Sequence, residues 1–336
     1  MTRALARRPW GHVDWILGGF PAEHWSVIAC VATEDRWPAA LACVADAGCL
    51  SDVTLFQVAP TAAGPAQHTA QARLDAEAAL AERRFGAVSE AHHLFERLEV
   101  LVRSVRRFLS TAQSNIIIDI SCFPKRFFFP IVKLLSEAPN VVNLVVTYTH
   151  AEGYADGRLA EDPEPSRPLP MFTGALEQHG PQKLVVSTGV EPLGLPQIVE
   201  GEGGFPSVSV LVPFPAPPPL GKRNWEVLRL IDKSQGLRHG DLVGIDVNDV
   251  PRTFAHLDRV ANSHPERLSF APFGAKPVSL AMCLYALSVE PERRPAVLYT
   301  QPRRYAAEYS HGIRQTDGRP HVSGYIVRHE GRSLYA

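Results

Sequence analysis

Residues 116–135 (IIIDISCFPKRFFFPIVKLL) constrain the fold more than any other segment of the chain. The first apolar run has the length of a buried strand, and the second is long enough for a helix. The turn between them carries Asp119, Ser121, Lys125 and Arg126. A strand, a polar loop and a helix in this order form the unit that holds anions in open α/β sheets. The segment therefore predicts a parallel sheet with an anion site at its carboxyl edge.

A second segment, residues 268–287 (LSFAPFGAKPVSLAMCLYAL), has the same layout around Lys276, with Gly274 just before it. The offset between the two lysines is 276 − 125 = 151. This register predicts an internal duplication at the scale of a domain, although two unrelated α/β halves can also share such a layout. The same offset superposes further pairs without a gap: Tyr148 on Tyr299, Thr149 on Thr300 and Tyr154 on Tyr305.

Apolar runs alternate with helical patterns along most of the chain, which predicts two Rossmann-like α/β halves with mainly parallel sheets. We expect the first half over residues 1–154 and the second over 181–336. Residues 155–180 are rich in proline and acidic residues and hold no periodic pattern. This segment is predicted to be a connector or a lid loop.

The first half is predicted to contain a short strand and two helices whose bounds are specific enough to compare with the structure. Residues 13–18 (VDWILG) are predicted to form a short strand, followed by Gly19 and a helix from 22 to about 33. Apolar residues at helical spacing predict one amphipathic helix over 88–109. In the second half, Gly189 follows a predicted strand, so the openings of the two halves are expected to match.

Composition bounds the class of protein. With 336 residues, 45% of them hydrophobic, the chain can bury a large core and exceeds a typical single domain. The net charge of −1 favours neither bulk nucleic acid nor a membrane as partner. No apolar run approaches the ~20 residues of a membrane span, and the five cysteines form no CxxC pair. These features predict a cytoplasmic protein with reduced thiols, and the abundance of Ala, Arg and Pro suggests a bacterial source.

Both lysine loops suit an anionic ligand. A loop that opens a helix exposes backbone N–H groups at the positive end of the helix dipole, and a lysine adds a charge that matches phosphate. Neither loop is GxxxxGK[ST] or GxGxxG, so the lysines could also be plain loop charges. No cofactor and no metal site are predicted, and catalytic residues stay unassigned. The predicted ligand-binding residues are Ser121, Lys125, Arg126, Tyr148, Thr149, Gly274, Lys276, Tyr299, Thr300 and Arg303.

The first loop resembles the strand–loop–helix of CARF-type ligand-sensor domains through Asp119, Ser121 and Lys125. That resemblance implies a Rossmann-like domain that binds a cyclic oligonucleotide second messenger in a bacterial antiviral system, between two copies. Lys276 would be the second copy's counterpart, but Phe270 stands where the pattern has Asp119. Phe123 and Pro124 also replace the usual glycines. The chain would be a sensor or subunit whose protein partner carries the effector activity.

Three functions follow from these observations. The leading hypothesis is binding of a nucleotide or other phosphate-bearing ligand between the two lysine loops. The second is an enzyme that acts on a nucleotide or phosphorylated metabolite, with 155–180 as a lid. The third is an interaction subunit whose proline-rich segments, 163–170 and 213–219, dock a partner.

Overall fold

The computed structural model forms two compact units. The first unit comprises residues 1–155 and 304–335, and the second comprises 156–303 together with Ala336. The structure describes residues 7–20, 23–59, 65–174, 182–189, 193–199, 205, 207–216, 220–263, 267–306 and 309–336.

Elements are numbered in chain order. Residues up to 155 form β1 (Trp10–His12), α1 (Val13–Gly18), β2 (Trp25–Val31), α2 (Ala39–Asp46), β3 (Leu50–Ala59), α3 (Pro65–Phe85), β4 (Val88–His93), α4 (Leu98–Thr111), β5 (Asn115–Asp119), α5 (Lys125–Glu137), β6 (Asn143–Thr149) and β7 (Ala151–Tyr154). Then come β8 (Ala160–Pro163), β9 (Arg167–Pro168), β10 (Gln182–Ser187), α6 (Leu195–Val199), β11 (Ser207–Pro213), α7 (Leu220–Gln235), β12 (Leu242–Ile245), α8 (Val250–Ser263), β13 (Arg267–Pro272), α9 (Lys276–Ser288) and β14 (Ala296–Tyr299). The chain ends with β15 (Pro302–Tyr305), β16 (Ser310–Ile313), β17 (Gln315–Thr316), β18 (Arg319–Pro320), β19 (Val322–His329) and β20 (Arg332–Ser333).

The main sheet of the first unit runs β1-β19-β6-β5-β2-β3-β4. Strands β2 to β6 are parallel to their neighbours within this group. Numbered by chain order, these five strands have the order 3-2-1-4-5. The C-terminal strand β19 extends the sheet by pairing antiparallel with β6, and β1 pairs with β19.

The sheet of the second unit runs β12-β11-β10-β13-β14-β9. Its parallel strands β10 to β14 have the same order, 3-2-1-4-5, and β9 adds an antiparallel edge. Helices α5 and α9 both have 13 residues and lie 151 positions apart at both ends. The predicted Rossmann-like α/β fold is therefore confirmed. The shared order is common among such sheets, so descent by duplication stays a prediction.

Each unit builds a core against its own sheet. In the first, apolar side chains of β2 and β3 pack with those of α1, α2 and α3. In the second, β10 and β11 pack with α6 and α7. Because β2 and β5 are covered on both faces, their sequences are mainly apolar, with Ser26 in β2 and Asn115 and Asp119 at the two ends of β5.

The strand predicted over 13–18 is wrong, since these residues form α1. The side chain of His12 accepts a hydrogen bond from the backbone N–H of Asp14 and caps the helix. The buried residues Val13, Ile16 and Leu17 recur at helical spacing. Gly19 consequently follows a helix, so the predicted match between Gly19 and Gly189 is also wrong.

The helix predicted over 22–33 is wrong as well, because Trp25–Val31 form β2. Every residue of this strand is buried, as expected at the centre of a parallel sheet. A short apolar run buried on both faces has no periodicity that separates strand from helix. Residues 21 and 22 lie outside the described residues.

The single helix predicted over 88–109 is in fact a strand and a helix. Residues 88–93 pair in parallel with β3 as β4, and the helix begins only at Leu98. The strand lies at the sheet edge and is mostly solvent-accessible, so its sequence lacks a strong apolar signal.

Two further differences concern the connector and the C-terminus. Within 155–180, the described part contains the short strands β8 and β9, the latter paired with β14. Residues 175–180 lie outside the described residues. The C-terminal residues 304–335 group with the first unit because β19 completes its sheet, which the predicted second half, 181–336, does not anticipate.

Candidate functional site

A sheet of order 3-2-1-4-5 has its crevice at the carboxyl ends of strands 1 and 4, where the chain turns to opposite sides. In the first unit these strands are β2 and β5, and the loops that follow them are 32–38 and 120–124. In the second unit they are β10 and β13. Both lysines predicted to bind the ligand begin the helix that follows strand 4.

A buried hydrogen-bond network shapes the first loop. The Asp119 carboxylate accepts from the Ser121 hydroxyl at 2.6 Å and from the Thr147 hydroxyl at 3.1 Å. The Ser121 oxygen in turn accepts from the backbone N–H of Thr149 at 2.7 Å. Because these groups tie the end of β5 to the end of β6, Asp119 and Ser121 position the loop that leads to Lys125.

Lys125 and Lys276 begin α5 and α9, both of which lie wholly within the described residues. No side chain caps either helix, and neither helix has an acidic residue in its first turn. The dipole of each helix and its lysine therefore both contribute positive charge at the N-terminus. Lys125 is only 8% exposed, which is unusual for lysine, and Lys276 is half-buried.

A threonine lies at the carboxyl end of the strand beside each lysine helix. Thr149 ends β6, and Thr300 directly follows β14; both are almost fully buried. Within the described part of the chain, neither hydroxyl oxygen has a hydrogen-bond partner. A buried hydroxyl without a partner costs on the order of 1–3 kcal/mol, so a water or ligand atom bound there would be stabilising.

Arg126 faces a different element from Lys125. Its guanidinium donates to the backbone carbonyl of Glu96 at 3.4 Å and lies 5.6 Å from the ring centre of Phe95. These contacts hold Arg126 against the connection between β4 and α4. Arg126 thus packs the outside of the first helical turn.

Arg36, in the loop after β2, is a residue that the sequence analysis missed. Its guanidinium pairs with Glu34 at 2.9 Å and reaches the Tyr148 hydroxyl and the Thr149 carbonyl, each at 3.4 Å. Burial opposes its ionisation, but Glu34 and nearby Tyr and Cys groups outweigh burial and raise the pKa of Arg36. Arg36 lies in the loop just after a strand, a position that indicates a candidate binding residue. The incorrectly predicted helix over 22–33 concealed that strand.

Tyrosines surround this ion pair. The hydroxyls of Tyr148 and Tyr154 lie 3.5 Å apart, and the rings of Tyr154 and Tyr309 meet edge to face. The neighbouring Tyr148 and burial together raise the pKa of Tyr154, so it is a neutral phenol at physiological pH. Tyr148 is consequently engaged with Arg36 and Tyr154.

In the second unit, the loops after β10 and β13 touch through their backbones. A Cβ atom on Gly189 would overlap the carbonyl oxygen of Phe273. The N–H of Gly274 donates to the Ser187 hydroxyl at 3.0 Å. Gly274 therefore allows close packing of two loops, and Ser187 links them much as Ser121 links β5 to β6.

The remaining predicted residues of the second unit lie at the end of β14 and beyond. Tyr299 is half-buried, with its ring 5.9 Å from that of Phe273. Thr300 lies against Gly194, whose positive φ of 78° and missing side chain permit the contact. Arg303 is exposed and forms an ion pair with Glu164.

Two histidines lie side by side with tilted rings in the first unit, close to Tyr148. The ring centres of His150 and His321 are 4.2 Å apart, and His150 Nε2 lies 2.9 Å from the Ser323 hydroxyl. Burial, His321 and two nearby arginines, Arg314 and Arg36, lower the pKa of His150 to about 3. His150 is therefore neutral at physiological pH.

Among the described residues, no three His, Cys, Asp or Glu side chains are grouped so that they could hold a metal ion. The described helices include none that combines the length and apolar character needed to cross a membrane.

No family model matches the chain, and no curated protein matches it. Among solved structures, a putative universal stress protein from Pseudomonas aeruginosa UCBPP-PA14 is similar, with 14% sequence identity and a TM-score of 0.24. The match covers 83% of this chain and 93% of that chain. The fold assignment above rests on the strand order, and the resemblance to CARF-type domains stays a prediction.

Proposed function

We propose that this protein binds a phosphate-bearing ligand, a nucleotide, at the N-termini of α5 and α9, each of which begins with a lysine. One recurrent arrangement supports the proposal. In each unit, a lysine begins the helix after strand 4, and a buried threonine lies at the end of strand 5, its hydroxyl without a partner among the described residues. The lysine and the helix N-terminus supply positive charge and N–H donors, and the threonine supplies a further donor or acceptor.

The finer proposal concerns the ligand and the biological role. The Asp119, Ser121 and Lys125 pattern resembles CARF-type sensors, which favours a nucleotide second messenger. The chain would then act as a sensor or subunit for a protein partner with an effector activity, in bacterial antiviral defence. Cyclic oligonucleotides that bind more tightly than mononucleotides would support this role, and the reverse preference would contradict it.

The test is isothermal titration of the full chain with mononucleotides, dinucleotides and cyclic oligonucleotides. Lys125→Ala and Lys276→Ala are each expected to weaken binding about 10- to 100-fold, since a hydrogen bond to a charged group contributes ~1.5–3 kcal/mol. Lys233→Ala, at an exposed position in the last turn of α7, is the matched control and should bind as the unmodified protein does.

Unchanged affinity in both lysine variants would contradict the proposal, provided that their unfolding transitions match that of the unmodified protein. The stoichiometry tests the sequence-level prediction of one ligand shared by two loops. One ligand per chain supports sharing, whereas two per chain indicate an independent site in each unit.

A further inference from the structure

Asn224 carries a buried amide group in α7. It is 2% exposed, and neither its Oδ1 nor its Nδ2 has a hydrogen-bond partner among the described residues. Since both amide atoms are unsatisfied, interchanging the assigned oxygen and nitrogen would not remove the deficit. A buried polar group in this state destabilises the fold unless a ligand or water completes it.

The surroundings of Asn224 would suit an apolar residue. It lies in α7 at helical spacing from Val227, Leu228 and Ile231, which are buried in the core of the second unit. A leucine at this position would continue the apolar stripe of the helix. The asparagine therefore breaks the local pattern at a cost in stability, which is typical of residues kept for function.

Asn224 lies toward the carboxyl edge of the sheet in the second unit. Helix α7 follows β11, so its first turn lies near the carboxyl end of that strand. Asn224 is four residues from the first residue of the 16-residue helix, or about 6 Å along its axis. Arg223, the preceding residue, donates to the backbone carbonyl of Asp156 at 2.7 Å, which helps to fix this turn.

The chemistry of the amide indicates the kind of group that it would recognise. An anion could accept from Nδ2 but would leave Oδ1 unsatisfied, and a cation would leave Nδ2 unsatisfied. A neutral group with a donor and an acceptor side by side satisfies both atoms at once. The edge of a nucleobase has this pattern, and asparagine pairs with adenine in two hydrogen bonds in this way.

We propose that Asn224 binds the hydrogen-bonding edge of a nucleobase in the second unit. This inference rests on Asn224 alone and not on the lysine loops. It is therefore tested with the nucleosides adenosine, guanosine, cytidine and uridine, which carry no phosphate. If the lysine variants bind phosphate-bearing ligands normally, the proposal for Asn224 still stands. If Asn224→Leu binds nucleosides normally, the proposal for phosphate binding at Lys276 still stands.

The experiment measures two properties of the full chain, its melting temperature without ligand and its affinity for each nucleoside at millimolar concentrations. Asn224→Leu removes the unsatisfied amide, so it is expected to raise Tm by about 2–6 °C. The same change is expected to weaken nucleoside binding at least tenfold. Asn262→Leu, at an exposed position in α8, is the matched control and should change neither property.

Higher stability together with lost binding is the specific signature of an amide kept for a ligand. No nucleoside binding to the unmodified protein, or unchanged affinity in Asn224→Leu, would overturn the proposal. A lower Tm in a folded variant would also overturn it, because the amide would then be satisfied in the ligand-free state. If Asn224→Leu does not fold, Asn224→Ala is the replacement variant, because alanine is smaller than asparagine and needs no extra space. Retained nucleoside affinity in Asn224→Ala would equally overturn the proposal.

Discussion

The neighbouring histidines His150 and His321 predict that the first unit loses stability below neutral pH. The pKa of His150 is about 3 in the folded protein, against an ordinary value of 6.5. Between these values, the unfolded chain binds a proton that the folded chain does not. Stability from His150 is therefore complete above pH 6.5 and is lost as the pH falls toward 3.

The size of this effect follows from the two pKa values. At pH 5 the unfolded state gains about 1.36 × 1.5, or ~2 kcal/mol, from protonating His150. The result hardly depends on how far below 5 the folded pKa lies, since the folded histidine is neutral at pH 5 in any case. For a unit of this size, ~2 kcal/mol corresponds to a fall in Tm of roughly 4–8 °C.

His150→Gln separates this contribution from other acid effects. Glutamine is neutral throughout the range and can keep a hydrogen bond to Ser323. The drop in unfolding free energy from pH 7.5 to pH 5 should be about 2 kcal/mol smaller in the variant. Burial and nearby positive charge also lower the pKa of His321, so some acid sensitivity should remain.

The assay is urea unfolding followed by tryptophan fluorescence in a Trp225→Phe background. The other four tryptophans then lie in the first unit, so the signal reports that unit alone. His68→Gln, at an exposed position of α3, is the control and should follow the parent protein. An equal drop in His150→Gln and in the parent would refute the argument, because it would mean that His150 titrates alike in both states.

Three further predictions concern the two crevices. Glu34→Gln should destabilise the first unit by about 3–5 kcal/mol in the same assay, because it leaves the charge of buried Arg36 unpaired; a loss below 1 kcal/mol would contradict this. Ser121→Ala should cost about 1–3 kcal/mol, since Asp119 loses a donor and a buried backbone N–H loses its acceptor, and a neutral result would indicate that the network has another support. Gly189→Ala should lower the melting temperature of the second unit, as the new Cβ would overlap a backbone oxygen, and an unchanged transition would show that the loops separate easily.

The sequence by itself determined the parts of the fold in which local pattern and burial agree. The strand at 116–119, the polar loop and the helix from Lys125 to Glu137 were predictable because the apolar period changes sharply at Asp119. The same reasoning located β13, α9 and β14 in the second half. It also singled out Lys125 and Lys276, but it placed them in the loops, whereas the structure makes them the first residues of α5 and α9.

Only the tertiary structure decided the rest, and the reasons are physical. Strand β2 is buried on both faces, so its sequence carries no period, and misassigning it concealed Arg36 in the loop that follows. The return of β19 to the first sheet depends on long-range pairing with β6, which no local pattern encodes. Asn224 also appears in the sequence as an ordinary helical residue, because only packing reveals that its amide is buried and unsatisfied.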